Sequence, residues 1–123
     1  MPDALTPEQA IAVPDALFLD VRETYEWEAG HIADAVHIPI GQIERRHGEI
    51  GQERPVIVVC QVGQRSELVA NFLEAKGYHA ANLAGGLQSW SAAGHPLVSV
   101  GAPGAVIDGW ARDIDGHRLD GSD

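Results

Sequence analysis

Cysteine is nearly absent from this chain, and its scarcity excludes several kinds of structure. The 123 residues include a single cysteine, Cys60, so no internal disulfide can form. A chain without disulfides suits a reducing compartment, and we expect it to be cytoplasmic. The six histidines are scattered along the sequence without the spacing of metal ligands on a common face. With one thiol available, we predict no metal site.

Basic residues and long apolar runs are also scarce. Lysine and arginine number 8 against 18 aspartates and glutamates, which gives a net charge of −10. Such a charge repels nucleic acids and anionic membranes at long range, so we predict neither as a partner. No run approaches the ~20 apolar residues that span a bilayer. The first residues lack the basic segment and apolar core of a secretory signal, so we expect none.

What is present is an alternation of strand-like and helix-like segments. The β-branched run Val56–Val59 is typical of a strand buried on both faces. Residues 66–76 form the best helix pattern, ended by Gly77. Its predicted apolar face comprises Leu68, Val69, Phe72, Leu73 and Ala75. The other predicted elements are a helix capped by Thr6, strands over 17–19, 35–38 and 81–83, and short helices over 24–29, 42–47 and 87–93. This alternation predicts an α/β fold with a mostly parallel sheet.

The length allows one buried core and is too short for two. We therefore assign residues 1–96 to one domain. From residue 97 onward small and turn-forming residues become frequent, and we predict that residues 97–123 form an irregular C-terminal extension. Apolar side chains such as Trp110 indicate that part of it packs on the domain.

Cys60 lies where the β-branched run ends and a helix is about to begin. The carboxyl ends of parallel strands are where open α/β folds bind ligands, and a helix start directs unpaired N–H groups toward such a site. Gly63 frees the backbone to curl into an anion nest, while Arg65 adds a positive charge and Ser66 is the expected helix cap. These features predict a Cys60 pKa below its usual value and a reactive thiolate.

A lone cysteine is more often a small buried apolar residue than a nucleophile. Here the order of strand, cysteine, glycine loop, arginine and helix favours the nucleophile.

Three spaced segments of the chain form a recognisable set. They are Asp20-Val-Arg22 with Glu26, Gly30-His-Ile32, Ala35 and Ile38-Pro39; the loop from Cys60 to Ser66; and Leu83-Ala-Gly-Gly-Leu87 with Trp90. In their order and spacing these segments resemble the signatures of rhodanese-like sulfurtransferases. The likeness spans about residues 17–96 and does not cover the tail. The resemblance implies a three-layer α/β/α fold around a mostly parallel sheet of about five strands.

The resemblance also implies a chemistry. Cys60 would take a sulfane sulfur from a small-molecule donor such as thiosulfate and carry it as a persulfide to a thiol acceptor, with no metal or organic cofactor. The backbone N–H groups of the loop would cradle the outer sulfur, and Arg65 would assist donor binding. The loop residues concerned are Gln61, Val62, Gly63, Gln64, Arg65 and Ser66. A protein acceptor is one alternative, and a module that only delivers persulfide or docks to a partner is another.

Loop length weighs against a third reading, a phosphatase or an arsenate reductase. Those relatives of the fold have a seven-residue loop, because a tetrahedral oxyanion needs a wider nest than one sulfur atom. Cys60 to Arg65 is the shorter, six-residue form.

Outside the loop, Asp20 and Arg22 are supporting candidates at a strand end, where a structural ion pair is the simpler expectation. We expect Glu26 and His31 to hold the turn around Gly30 rather than to act in catalysis.

Overall fold

The structure of the protein is a computed structural model, which describes residues 3–99 and 102–107. Its centre is a five-stranded sheet in which every pairing is parallel. The strands are β1 (Asp3–Leu5), β2 (Leu17–Asp20), β3 (Val36–His37), β4 (Val56–Val59) and β5 (Ala80–Leu83), in the spatial order β1-β5-β4-β2-β3. The central position of β4 places Cys60 at the middle of the carboxyl edge.

Helices cover both faces of the sheet, which confirms the predicted three-layer α/β/α architecture. They are α1 (Pro7–Ile11), α2 (Thr24–Ala29), α3 (Ile43–Arg46, between 3-10 turns at Ile40–Gln42 and His47–Glu49), α4 (Gln64–Ala75) and α5 (Gly86–Ala92). Strand β4 is buried along its whole length and alternates between two cores. Val58 packs in the core that contains Val69 of α4, and Val59 packs in the core that contains Leu87 of α5. Each such buried side chain contributes about 1.5–3 kcal/mol to stability.

The local helix signals correspond to observed structure at the chain's start. The Thr6 side chain accepts a hydrogen bond from the Gln9 N–H, and the Gln9 side chain accepts one from the Thr6 N–H. This reciprocal capping box satisfies two backbone donors that the short helix α1 would leave unpaired. Pro7 follows at the first helical position, where its missing N–H costs nothing.

The predicted start of the long helix was wrong by two residues. Helix α4 begins at Gln64, and its cap is Gly63, which has a φ of 103°. Ser66 therefore lies inside the first turn rather than capping it, because glycine can adopt the left-handed conformation that starts the helix directly after the loop. The predicted apolar face is also shifted, since Leu68 is 67% exposed and Ala75 is exposed. The buried face of the helix instead includes Ser66 and Ala70.

The beginning of the tail is not irregular, which corrects the sequence-based expectation. Strands β6 (Leu97–Ser99) and β7 (Ala102–Ile107) form an antiparallel pair, and Val98 exchanges two backbone hydrogen bonds of 2.8 Å with His31. Glycine and proline in this stretch suggest a break, but an antiparallel pair leaves some N–H groups free, so proline is tolerated at its edge. The division at residue 96 stays a prediction, and residues 108–123 lie outside the described ones.

None of the helices in the described ranges is both long enough and apolar enough to span a membrane.

Candidate active site

The sheet brings three chain segments together around Cys60. Strand β4 lies between β5 and β2, so the residues after those strands meet the Cys60 loop at one edge. The register is continued past the strand ends, since the Val21 N–H donates to the Val59 carbonyl at 3.0 Å. This arrangement is the switch point of an open α/β sheet, where ligands bind.

The Cys60 sulfur is surrounded by hydrogen-bond donors. The Gly63 N–H lies 3.1 Å from Sγ, the Ser66 N–H 3.3 Å and the Ser66 hydroxyl 3.2 Å. These donors belong to the loop and to the first turn of α4, where backbone N–H groups have no helical partner. Ser66, expected as a cap, thus contributes two of the donors that face the sulfur.

Two opposing influences determine the pKa of Cys60. Burial is the largest influence and raises the pKa of the thiol, because it disfavours the charged form. The hydrogen bonds from the Ser66 hydroxyl and from the N–H groups of Ser66, Gly63 and Val62 lower the pKa and outweigh burial. The pKa of Cys60 therefore lies below its ordinary value, and the thiolate is the favoured form at a lower pH than in a free cysteine.

The loop is held from behind by helix α5. The N–H groups of Leu87 and Gln88 donate to the carbonyls of Cys60 (2.9 Å) and Gln61 (3.0 Å). Gly86 makes this possible, since a side-chain carbon there would collide with those same two carbonyl oxygens. With its carbonyls turned toward α5, the loop presents N–H groups to the sulfur.

Asn82, at the carboxyl end of β5, is a site residue that the sequence argument missed. Its Oδ1 accepts from the Ser66 hydroxyl at 2.5 Å, and its Nδ2 donates to the Gly63 carbonyl at 3.2 Å. It thereby holds both ends of the segment that supplies donors to Cys60. Its position two residues before the Ala84-Gly85-Gly86 turn was the available signal, because polar residues at the carboxyl end of a buried strand commonly serve a site.

Asp20 and Arg22 form the structural ion pair expected at the end of β2. Both are buried, and the Arg22 Nη2 lies 2.7 Å from Asp20 Oδ2 and 2.7 Å from the Gly30 carbonyl. The remaining Arg22 nitrogen, Nη1, points to the Gln61 side chain at 3.5 Å. The pair therefore links β2 to the turn at Gly30 and borders the loop at Gln61.

Arg65 is placed differently from the sequence-based expectation. Its Nη1 and Nη2 donate to the two carboxylate oxygens of Glu26 at 2.8 and 3.0 Å. Attraction to Cys60 contributes only secondarily to raising the pKa of Arg65, after its hydrogen bond to Glu26. Glu26, expected to hold the Gly30 turn, thus joins α2 to the loop, a contact between residues 39 positions apart that local patterns do not reveal.

The remaining predicted residues border the site. Val62 is 50% exposed at the loop tip, and Gln64 is exposed at the first position of α4. His31 stacks on Trp27 with ring centroids 3.5 Å apart, and its Nδ1 contacts the Trp27 carbonyl at 2.7 Å. Burial lowers the pKa of His31, so its ring is neutral at physiological pH, in keeping with an architectural role.

The Cys60 sulfur is enclosed by the protein, since Cys60 has no exposed surface. A surface cavity of about 560 Å³, lined by Asp3, Pro55, His79 and their neighbours, lies at the opposite edge of the sheet. Within the described ranges, no group of three or more His, Cys, Asp or Glu side chains is placed to hold a metal ion.

Comparison with known proteins identifies a family and several relatives. The model of the Rhodanese-like domain matches residues 6–93. A sulfurtransferase of Allochromatium vinosum is 36% identical over 86 residues, covering 69% of this chain and 80% of that protein. YrkF of Bacillus subtilis, provisionally named a sulfur carrier protein, is 36% identical over 74 residues. That match covers 59% of this chain and spans only 40% of the length of YrkF.

A solved structure gives the same result for the fold. A rhodanese-related protein from Thermoplasma volcanium superposes with a TM-score of 0.75 at 29% identity, covering 78% of this chain and 97% of that one. The family match extends over most of the described residues, from the capping box of α1 to the end of α5. The chain belongs to the rhodanese-like domain family, whose relatives include sulfurtransferases.

Proposed function

We propose that the protein is a sulfurtransferase in which Cys60 carries sulfane sulfur as a persulfide. The observation that carries the proposal is the ring of donors from Gly63 and Ser66 around the Cys60 sulfur. Such donors stabilise a thiolate before reaction and a terminal persulfide anion after it. Relatives named as sulfurtransferases support the same chemistry.

In the loading step the Cys60 thiolate attacks the outer sulfur of a donor such as thiosulfate. A new S–S bond forms to Cys60 as the donor's own S–S bond breaks, and its electron pair leaves with sulfite. In the unloading step an acceptor thiolate, or cyanide in an assay, attacks the outer sulfur and returns the electron pair to Cys60. No external oxidant is needed in either step, since each bond broken is replaced by one formed.

The loop residues have distinct roles in this proposal. The N–H groups of Val62, Gly63 and Ser66 stabilise negative sulfur, while Gln61, Gln64 and Arg65 line the approach of the donor. Asp20 and Arg22 support the loop from β2. We also propose that the protein acts in the cytoplasm and that residues 1–96 contain the whole site.

Delivery of sulfur to a partner protein is the second candidate. The similarity to YrkF favours it, because that protein is provisionally named a sulfur carrier. The two candidates share the Cys60 persulfide and differ in its acceptor. Unloading by small thiols at rates close to those of loading would favour the free enzyme, whereas a persulfide stable to small thiols would favour delivery to a protein.

Intact-mass spectrometry tests the shared step. We expect the wild-type chain to gain the mass of one sulfur atom after incubation with thiosulfate or with an organic persulfide, and to lose it on addition of cyanide. Cys60→Ser is the matched variant, because the single change removes the only thiol. We expect it to fold and to gain nothing; sulfur gained and passed to cyanide by this variant would refute the proposal.

A further inference from the structure

The positive charges at the site are already neutralised by carboxylates of the protein itself. Arg65, the only arginine in the loop, is bound by Glu26 through two hydrogen bonds of 2.8 and 3.0 Å. This is the bidentate geometry in which guanidinium and carboxylate bind each other most strongly. A donor that needs the Arg65 charge has to compete with Glu26 for it.

Glu26 is fixed in this position from its own side. Its Oε1 accepts a second hydrogen bond, of 2.9 Å, from the Glu23 N–H at the start of α2. The Glu26 side chain is 18% exposed, and the hydrogen bond from Arg65 is the main cause that lowers the pKa of Glu26, so it is ionised at neutral pH. The negative charge of Glu23 also acts on Arg65.

Arg22 gives no compensating charge. Its Nε and Nη2 atoms both donate to the buried Asp20 carboxylate, at distances from 2.7 to 3.1 Å. The two guanidinium groups next to the loop are therefore outnumbered by three carboxylates, those of Asp20, Glu23 and Glu26. The whole chain is also acidic, with a net charge of −10. Thiosulfate is a dianion, and beyond the N–H groups around the sulfur it meets no unpaired charge on Arg22 or Arg65.

We propose that Glu26 is a specificity-determining residue that withholds the Arg65 charge from donors with a sulfonate group and so selects sulfane sulfur on a thiol carrier. The inference rests on the proposed function of Cys60. The preferred donor is then a hydropersulfide, R–S–SH, carried by a small thiol or a protein thiol. The Cys60 Sγ thiolate attacks the terminal sulfur, an Sγ–SH persulfide forms on Cys60, and the carrier leaves as R–S⁻ with the electron pair of the broken bond.

The test compares two donors in two variants. In Glu26→Gln the amide oxygen retains an acceptor for the Glu23 N–H, while the charge that neutralises Arg65 is lost. We expect kcat/KM for thiosulfate to rise by about tenfold, mainly through KM, because the dianion gains an unpaired cation nearby. For a hydropersulfide with an uncharged alkyl group we expect less than about a twofold change, since it lacks the sulfonate that Arg65 would bind.

Glu49→Gln is the matched control. Glu49 forms the same kind of bidentate pair with Arg46, at 2.9 and 3.1 Å. Glu49 lies at the opposite edge of the sheet from Cys60, where it borders a second cavity, lined also by Leu17 and Val56. The Glu49→Gln variant removes the same charge from the molecule as Glu26→Gln does. We expect no change in its ratio of kcat/KM for thiosulfate to kcat/KM for the hydropersulfide. Adding Arg65→Gln to Glu26→Gln should abolish the gain for thiosulfate, which a merely structural role of Glu26 would not require.

The outcomes separate this inference from the proposed function. If wild type and Glu26→Gln both form the Cys60 persulfide with an unchanged donor ratio, sulfur transfer stands and the role of Glu26 is refuted. If Glu49→Gln raises thiosulfate use as much as Glu26→Gln does, only overall charge matters and the inference is again refuted. If neither donor loads Cys60 in any variant, the proposed function and the inference fail together.

Discussion

At the scale of single residues, the site depends on what surrounds one sulfur atom. Ser66 contributes a hydroxyl and an N–H to Cys60, and Asn82 fixes the hydroxyl from the other side. The hydroxyl has one proton and two acceptors, Cys60 Sγ and Asn82 Oδ1. Rotation of that proton toward the sulfur stabilises the thiolate when it forms, without any movement of the backbone.

Ser66→Ala tests this contribution. In the wild type the hydrogen bond from the Ser66 hydroxyl lowers the pKa of Cys60. The variant loses this hydroxyl and retains the backbone N–H. A hydrogen bond to a charged group contributes about 1.5–3 kcal/mol, so we expect the pKa of Cys60 to rise toward its ordinary value when the hydroxyl is removed. The rate of alkylation by iodoacetamide, followed against pH, reports it directly because Cys60 is the only thiol. The alkylation rate rises with pH as the thiolate forms, and we expect the midpoint of this rise to lie at a higher pH in Ser66→Ala than in the wild type.

Ser91→Ala serves as the control for that measurement. Ser91 lies in α5, one turn beyond the residue whose N–H binds the Cys60 carbonyl, and its hydroxyl has no hydrogen-bond partner among the described residues. We expect the midpoint of the alkylation rate against pH in Ser91→Ala to equal that of the wild type. An unchanged midpoint in Ser66→Ala would show that the hydroxyl does not act on the sulfur.

At the scale of secondary-structure elements, strand β4 and helices α4 and α5 determine the loop. Strand β4 ends at the sulfur, α4 starts with N–H groups directed at it, and α5 binds the carbonyls behind it. The α5 contact requires close approach, and Gly86 supplies it at a φ of 61°. The shape of the loop thus depends on a helix more than twenty residues further along the chain.

Gly86→Ala is predicted to displace the loop. A methyl group at this position collides with the carbonyls of Cys60 and Gln61, so we expect a loss of about 1–3 kcal/mol from overpacking, in addition to the cost of a left-handed alanine. The rate of sulfur transfer should fall by at least about tenfold, because displaced loop N–H groups bind the reacting sulfur less well. A loss of about 1.4 kcal/mol of such stabilisation corresponds to a factor of ten in rate. Urea unfolding and steady-state assays measure the two effects.

Gly94→Ala separates collision from backbone strain. Gly94 has a φ of 87°, also left-handed, but a methyl group there meets nothing within 4 Å. We expect it to lose about 1–2 kcal/mol of stability and to retain full activity. Equal activity losses in the two variants would contradict the role assigned to Gly86.

Local sequence patterns predicted these elements well, and contacts between elements much less so. The run Val56–Val59 and the capping box at Thr6 are local signals, and both lie where predicted. Asn82, which binds the Ser66 hydroxyl, is 16 residues from Ser66, and Glu26, which binds Arg65, is 39 residues from it, so these contacts follow from sheet order rather than from neighbouring residues. Helix α4 begins at Gln64 because the loop requires a left-handed residue at Gly63, which therefore caps the helix. Ser66, whose side chain is better suited to a cap, lies inside the first turn.

At the scale of the whole molecule, the acidic surface sets the approach of charged donors. A net charge of −10 repels a dianion at distances where the N–H groups around Cys60 have no effect. This repulsion depends on the ionic strength, because added salt shortens the Debye length from about 30 Å at 0.01 M to about 8 Å at 0.15 M.

We therefore expect kcat/KM for thiosulfate to rise with salt over that range, by about two- to fivefold, since screening weakens long-range repulsion. A hydropersulfide with an uncharged alkyl group, reacting in its neutral R–S–SH form, should respond less. Rates measured at constant pH in increasing sodium chloride give the comparison. A fall in the thiosulfate rate with salt would mean that an attractive local field dominates and would contradict this account of the surface.

The most direct test of the central claim is a single-turnover measurement on protein separated from its donor. The wild-type chain is loaded with sulfur, freed of donor by gel filtration and then treated with cyanide. We predict one thiocyanate per loaded chain, with the intact mass returning to that of the unmodified protein and the extra sulfur located on Cys60. Thiocyanate formed only while donor is present, with no sulfur retained on Cys60 after separation, would contradict a persulfide carrier.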